Sequence, residues 1–232
     1  MTGELKKRAL ASLSGKWGFA VGLTFLYFVL SGVASYIISM VMSVLYIPVV
    51  VLFMGEKESI SAGGGLLFGL LFVVMFVALT SISGVLTLGG YKVCLAVSRG
   101  NEGKFDDFFS FFAGWQKMVT AFKVTFFVSL YTMLWSLLLV IPGIIKALSY
   151  SLTYFVLLDH PEYTVHEAIA ESKRLMDGNK WNLFVLGLSF IGWFLLSAIT
   201  FSISQLWTTP YWAVTFAHFY DKVSDEKQVI AA

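Results

Sequence analysis

Long apolar runs separated by short polar clusters set the first reading of the chain. From Trp17 to Gly55 no Asp, Glu, Lys or Arg occurs over 39 residues, and apolar runs recur near 66–97, 118–140, 144–158, 181–205 and 211–221. About 20 apolar residues are needed to cross a hydrocarbon core of ~30 Å as a helix. As one straight helix the first run would reach about 58 Å, so its span is placed near 17–46, tilted, with Pro48 close to its end. GEKESISAGGG (55–65) is then the first loop. The third span stops at Ile141-Pro142-Gly143, because proline disrupts a helix and Pro-Gly favours a turn. A Trp207–Pro210 break separates the last two spans. Lys6, Lys7, Arg8 and Lys16 before the first run imitate a signal peptide, but the run is far longer than the 7–15 residues of such a core, so it reads as an uncleaved span.

Three segments interrupt the apolar pattern in the same way. LKKRALASLSGKW (5–17), FDDFFSFFAGW (105–115) and VHEAIAESKRLMDGNKW (165–181) each lead from an amphipathic stretch through a glycine to a tryptophan at the foot of an odd-numbered span. Gly15, Gly114 and Gly178 are placed to end surface helices in the left-handed conformation that glycine tolerates. Trp17, Trp115 and Trp181 suit an interfacial aromatic belt. The expected architecture is all-α and polytopic, with about six transmembrane helices as three hairpins, each preceded by a cytoplasmic amphipathic surface helix. It forms one transmembrane domain over 1–232, with degenerate repeat units near 1–98, 99–158 and 159–221 and a tail at 222–232.

Charge gives this picture a direction. Six spans put both termini on one side, and of the 16 Lys and Arg only Lys57 and Lys146 fall on the other. The positive-inside rule makes the termini, 99–117 and 159–180 cytoplasmic. Composition agrees: 58% of residues are hydrophobic, 17% aromatic and 13% charged, about half the charge of soluble domains. Cys94, the single cysteine, sits in an apolar run and reads as a buried inert thiol.

The most polar stretch, His160 to Trp181, is explained as a helix without chemistry. Thr164 and Glu167 form a T-x-x-E capping box. Val165, Ala168, Ile169, Ser172, Leu175 and Met176 make one face, for packing or for the interface. Glu171–Arg174 and Lys173–Asp177 are spaced to pair. HEAIA is half of a zinc-protease helix, but Ala170 replaces the second histidine, and His160 and His166 share a metal only if the turn between them folds back. Asp106 and Asp107 point to different faces, while Phe105, Phe108, Phe109 and Phe112 form a stripe suited to the headgroup layer. No catalytic, cofactor-binding or metal-binding residue is assigned, and the short basic clusters make no groove for nucleic acid.

Within the spans, polar groups are few. Ser35, Ser39, Ser43, Thr80, Ser81, Ser83 and Gly84 suggest close helix packing. Lys146 is the one exception to charges at cytoplasmic ends: a candidate intramembrane polar site, read as reaching the outer interface, where Glu56 and Glu58 approach it.

With LLLVIPGIIKALSYSLTYFVLLDHPEYTVHEAIAESKRLMDGNKW (137–181) assembled, the chain resembles the bacterial integral-membrane family catalogued as domain of unknown function 975, over nearly its whole length. The likeness rests on the Pro142-Gly143 turn, the Tyr-rich short span and the 164–181 helix. It implies a six-helix plasma-membrane protein and supplies no catalytic residues. The expected function is non-enzymatic, through contacts with membrane lipids, another membrane protein or a second copy of the chain, in an envelope-stress, assembly or toxin-immunity role. A small-solute transporter or channel is the alternative, and a lipid-modifying enzyme would need a polar constellation that the sequence lacks.

Overall fold

The computed structural model describes residues 1–54 and 62–231. Glu56, Lys57, Glu58 and Ser59 of the first loop therefore lie outside the described residues. Among the described residues the chain is all-α, and five segments are long and apolar enough to span a membrane: Trp17–Leu45, Gly69–Ser98, Trp115–Leu137, Ile141–Asp159 and Lys180–Ile199.

The first hairpin is α2 (Trp17–Met54) against α3 (Ala62–Ser98), preceded by α1 (Thr2–Leu13). Helix α2 does not stop near residue 46. Pro48 forfeits one backbone bond, and the helix continues to Met54. After the short α4 (Phe105–Phe109), the second hairpin joins α5 (Trp115–Leu138) to α6 (Val140–Tyr150) and α7 (Thr153–Asp159). Its reversal lies earlier than the sequence suggests. Leu139 alone is extended, at φ −161° and ψ 144°, and Pro142 and Gly143 already belong to α6. A proline in the first turn loses no helical bond, since that N–H has no partner there. Gly143 in turn lets α6 close on α5, because a Cβ would press on Ser136.

Helix α8 (Val165–Leu175) follows, then α9 (Lys180–Leu188), α10 (Ile191–Ile199) and α11 (Gln205–Ala231). The expected break at Trp207–Pro210 is displaced to 200–204, where Phe201 (φ 47°) and Ser202 (φ 68°) adopt left-handed backbone. Pro210 lies inside α11. Residues 211–221 are thus part of a 27-residue helix that is not among the five apolar spans. Its aromatic and polar residues pack on protein instead: Tyr211, Phe216, Phe219 and Tyr220 are buried, and α11 runs against α1, α2 and α3.

Packing is concentrated at one end. The start of α2, the ends of α3 and α7, the start of α5, one face each of α1 and α8, and much of α11 supply the buried core. The opposite halves expose their apolar side chains, among them Val33, Met40, Leu70, Leu137 and Leu195. Such surface is at home in lipid, where exposing a leucine costs nothing. The serine row of α2 falls in this region. Ser35, Ser39 and Ser43 are exposed rather than packed, as no neighbouring helix covers that face, and Ser43 donates to the Ser39 carbonyl of its own helix. Gly84 does sit at a helix contact, where a Cβ would meet the Ala121 carbonyl of α5.

Candidate functional site: the ion-paired face and its cleft

The three amphipathic segments all dock on the packed end, with different quality. Helix α1 buries Leu5, Ala9 and Leu13, and α8 buries Val165, Ala168, Ile169, Ser172 and Leu175. Each fully buried large aliphatic is worth about 1.5–3 kcal/mol against water. These helices are thus held by protein, not by headgroups. Helix α4 is only five residues long. The Ser110 hydroxyl donates back to the Asp107 carbonyl at 2.7 Å, where the helix ends. Of its expected stripe, Phe108 is buried while Phe105, Phe109 and Phe112 are exposed. Phe108 rides directly on α3, because a Cβ on Gly89 would collide with its carbonyl.

The punctuating residues have measurable conformations. Gly15 and Gly178 are left-handed at φ 75° and 81°. Gly114, at φ 138° and ψ 133°, is not left-handed helical; it opens α5 as an N-cap rather than closing α4. Trp115 and Trp181, beside it and beside Gly178, are 77% and 70% exposed, whereas Trp17 is partly packed on the core.

Helix α8 starts as its sequence requires. The Thr164 hydroxyl accepts from the Glu167 N–H, and the Glu167 carboxylate accepts from the Thr164 N–H at 2.7 Å. These backbone and hydroxyl bonds hold the Glu167 pKa below the usual carboxylate range. Arg174 pairs with Glu171 at 2.7 Å and lowers the Glu171 pKa likewise. The Lys173–Asp177 pair does not form; Lys173 turns instead over the Tyr150 ring, 5.3 Å away. Ser172 is fully buried and donates 2.9 Å to the Ser149 carbonyl, just before the α6–α7 break. One hydroxyl thereby ties α8 to an interrupted span.

Where the ends of α3 and α7 meet the side of α11 lies an arrangement that the sequence did not reveal. Arg99, one residue beyond α3, donates to both oxygens of Asp159 at 2.8 and 2.6 Å. It also donates twice to Asp221 Oδ1 of α11, at 3.1 and 2.8 Å. The Tyr220 hydroxyl donates to Asp159 at 3.0 Å, and its ring stacks on Phe155 at 5.3 Å. The bond to Asp159, reinforced by Asp221, raises the Arg99 pKa against the desolvation that opposes it. A single guanidinium fork thus ties the ends of α3 and α7 to the body of α11. Lys92 adds a second link, to Asp107 of α4 at 2.9 Å.

Beside this tripod opens a cleft of about 600 Å³ between the ends of α3, α5 and α7. Lys92, Arg99, Lys117, Gln116, Asn101 and Thr120 supply polar lining, and Leu95, Phe111 and Leu157 apolar lining. A smaller, largely apolar chamber of about 200 Å³ lies between α2, α3 and α11, around Tyr91 and Cys94.

The remaining candidates are engaged separately. His160 pairs with Glu162 at 3.2 Å and stacks on Tyr163, whereas His166 lies beside Phe127, ring centroids 4.8 Å apart. Among the described residues no group of three or more His, Cys, Asp or Glu is placed to hold a metal. Asp107 is held by Lys92. Lys146 places its ammonium over the Trp135 ring, 4.6 Å from the centroid, a cation–π contact.

Compared with known families, residues 1–146 and 137–227 match the profile described as "Protein of unknown function (DUF975)". The chain belongs to the DUF975 family. No curated protein and no solved structure matches it. In this DUF975 protein the most elaborate polar arrangement is therefore the Arg99 tripod with its adjoining cleft.

Proposed function

We propose that this DUF975 protein is a non-enzymatic protein of the bacterial plasma membrane that works through contacts with lipid or with other membrane proteins. In this reading the packed end, with both termini, faces the cytoplasm, as the distribution of Lys and Arg favours. The observation that carries the reading is saturation. Among the described residues no buried side-chain nitrogen or oxygen lacks a hydrogen-bond partner. Arg99, Asp159, Asp221 and Ser172 are all spent on joining helices. Reactive centres often keep a buried polar group unpaired; here the polar side chains that join the helices are engaged with one another. A scaffold role, in envelope stress, assembly or toxin immunity, uses outer surfaces directly.

The test is photocrosslinking in cells from Ala170 on the exposed side of α8 and from exposed Asp177 just beyond its end, combined with solute-flux measurements in proteoliposomes. Discrete adducts without flux are expected. Flux that disappears in a folded Lys146→Gln variant would replace this reading by a transporter or channel.

A further inference from the structure

We propose that the cleft between α3, α5 and α7 is a binding site for the phosphate of an anionic membrane lipid. The proposal deepens the contact reading by naming one ligand for it, and it rests on that reading's placement of the chain in a membrane. The cleft is amphipathic in the sense a lipid headgroup requires. Its lining presents Lys92, Lys117 and Gln116 as donors together with the apolar side chains of Leu95, Phe111 and Leu157. Asp159 is its one acidic lining residue, and both its oxygens are held by Arg99.

The charges are not equally available. Arg99 is committed to Asp159 and Asp221, and Lys92 is held by Asp107. Lys117 forms no ion pair among the described residues; its nearest hydrogen-bond partner is the Ser110 carbonyl at 3.5 Å. A lipid phosphate would give that ammonium its missing counter-charge. Lys92 also reaches the Ser110 hydroxyl at 3.2 Å, so both lysines converge on the same edge of the cleft. At this corner α5 begins from Gly114, which has no side chain to accept from the first-turn amides.

Position selects lipid over a soluble phosphate. The walls are the ends of three candidate spans, which places the cleft at headgroup level. Exposed Trp115, Phe112 and Phe109 lie next to it along the chain, the side chains that anchor at an interface. The apolar lining of Leu95, Phe111 and Leu157 suits a glycerol backbone and the first acyl carbons and offers nothing to inorganic phosphate.

Native mass spectrometry of the full chain in detergent tests this, with dioleoyl-phosphatidylglycerol and dioleoyl-phosphatidylcholine as probes. Phosphatidylglycerol should be retained preferentially, and Lys117→Gln should weaken it about fivefold, the scale of one basic residue at an anionic surface. Lys117→Arg should keep the preference, Lys7→Gln on exposed α1 should not alter it, and added inorganic phosphate should not compete. Equal retention of the two lipids, or an unchanged preference in Lys117→Gln, overturns the site. Competition by inorganic phosphate overturns the lipid as its source. Should Lys117→Gln fail to fold, loss of the wild-type preference in high salt replaces it, and a salt-independent preference counts against the site. Crosslinks from α8 report on the wider contact reading and do not depend on this result.

Discussion

The Arg99 guanidinium holds both carboxylate oxygens of Asp159, at 2.8 and 2.6 Å, across 60 residues of chain. The geometry is the planar fork that only arginine provides. With Asp221 on the same guanidinium, the fork fastens the ends of α3 and α7 to the body of α11. Side-chain exposure of 41% for Arg99, 23% for Asp159 and 24% for Asp221 puts the cluster between a surface pair and a buried one. Surface pairs contribute about 0–1 kcal/mol, and breaking a buried pair costs about 3–5 kcal/mol. Arg99→Gln should therefore destabilise by about 2 kcal/mol, read as thermal unfolding in detergent. Arg99→Lys should recover only part of this. Asp159→Asn combined with Arg99→Gln should cost clearly less than the two separately, and strict additivity would show that the pair is not coupled.

That relationship marks what sequence reading reached and what it missed. Apolar runs located the spans because lipid demands apolar length, and the capping box announced α8 because its signals lie three residues apart. Arg99, Asp159 and Asp221 each looked like a span-end residue reaching for water. Only the fold brings them together, although their common placement at same-side ends was a signal in the sequence. Leu139 gave no warning of a break, since it is neither glycine nor proline. The proline that does stand nearby, Pro142, fits the next helix. Pro48 and Pro210 misled in the same manner, because losing one backbone bond does not end a helix supported on both sides.

Two glycines should respond to substitution for different reasons. At Gly89 the obstacle is space: a Cβ would strike the Phe108 carbonyl, which belongs to backbone and cannot swing away. Gly89→Ala should undock α4 and cost about 1–3 kcal/mol, as over-packing does. At Gly178 there is open room, and the obstacle is a φ of 81°. Gly178→Val should cost roughly 1 kcal/mol or more through backbone strain alone. Unchanged melting in detergent would contradict either assignment.

Acid should loosen α8. Glu167 and Glu171 have folded pKa values below their ordinary range, through the Thr164 bonds and Arg174 respectively. A depressed folded pKa gives stability that is present above the unfolded value, about 4.3 for Glu, and is lost as pH falls through the folded one. Thermal stability should accordingly be flat down to about pH 5 and decline below about 4.3. Glu167→Gln with Glu171→Gln should lower the neutral-pH value and flatten the acid decline. A decline of the same steepness in the double variant would assign it to other carboxylates.

The central claim is that the helices cross a membrane with the packed, ion-paired end in the cytoplasm. Single cysteines test it most directly in a Cys94→Ala background, one as Ser59→Cys between α2 and α3 and one as Ala170→Cys on the exposed side of α8. Ser172, though close by, is buried and unsuited to labelling. A membrane-impermeant maleimide applied to intact cells should label residue 59 and leave residue 170 untouched until the cells are permeabilised. Labelling of residue 170 but not residue 59 from outside would contradict the account.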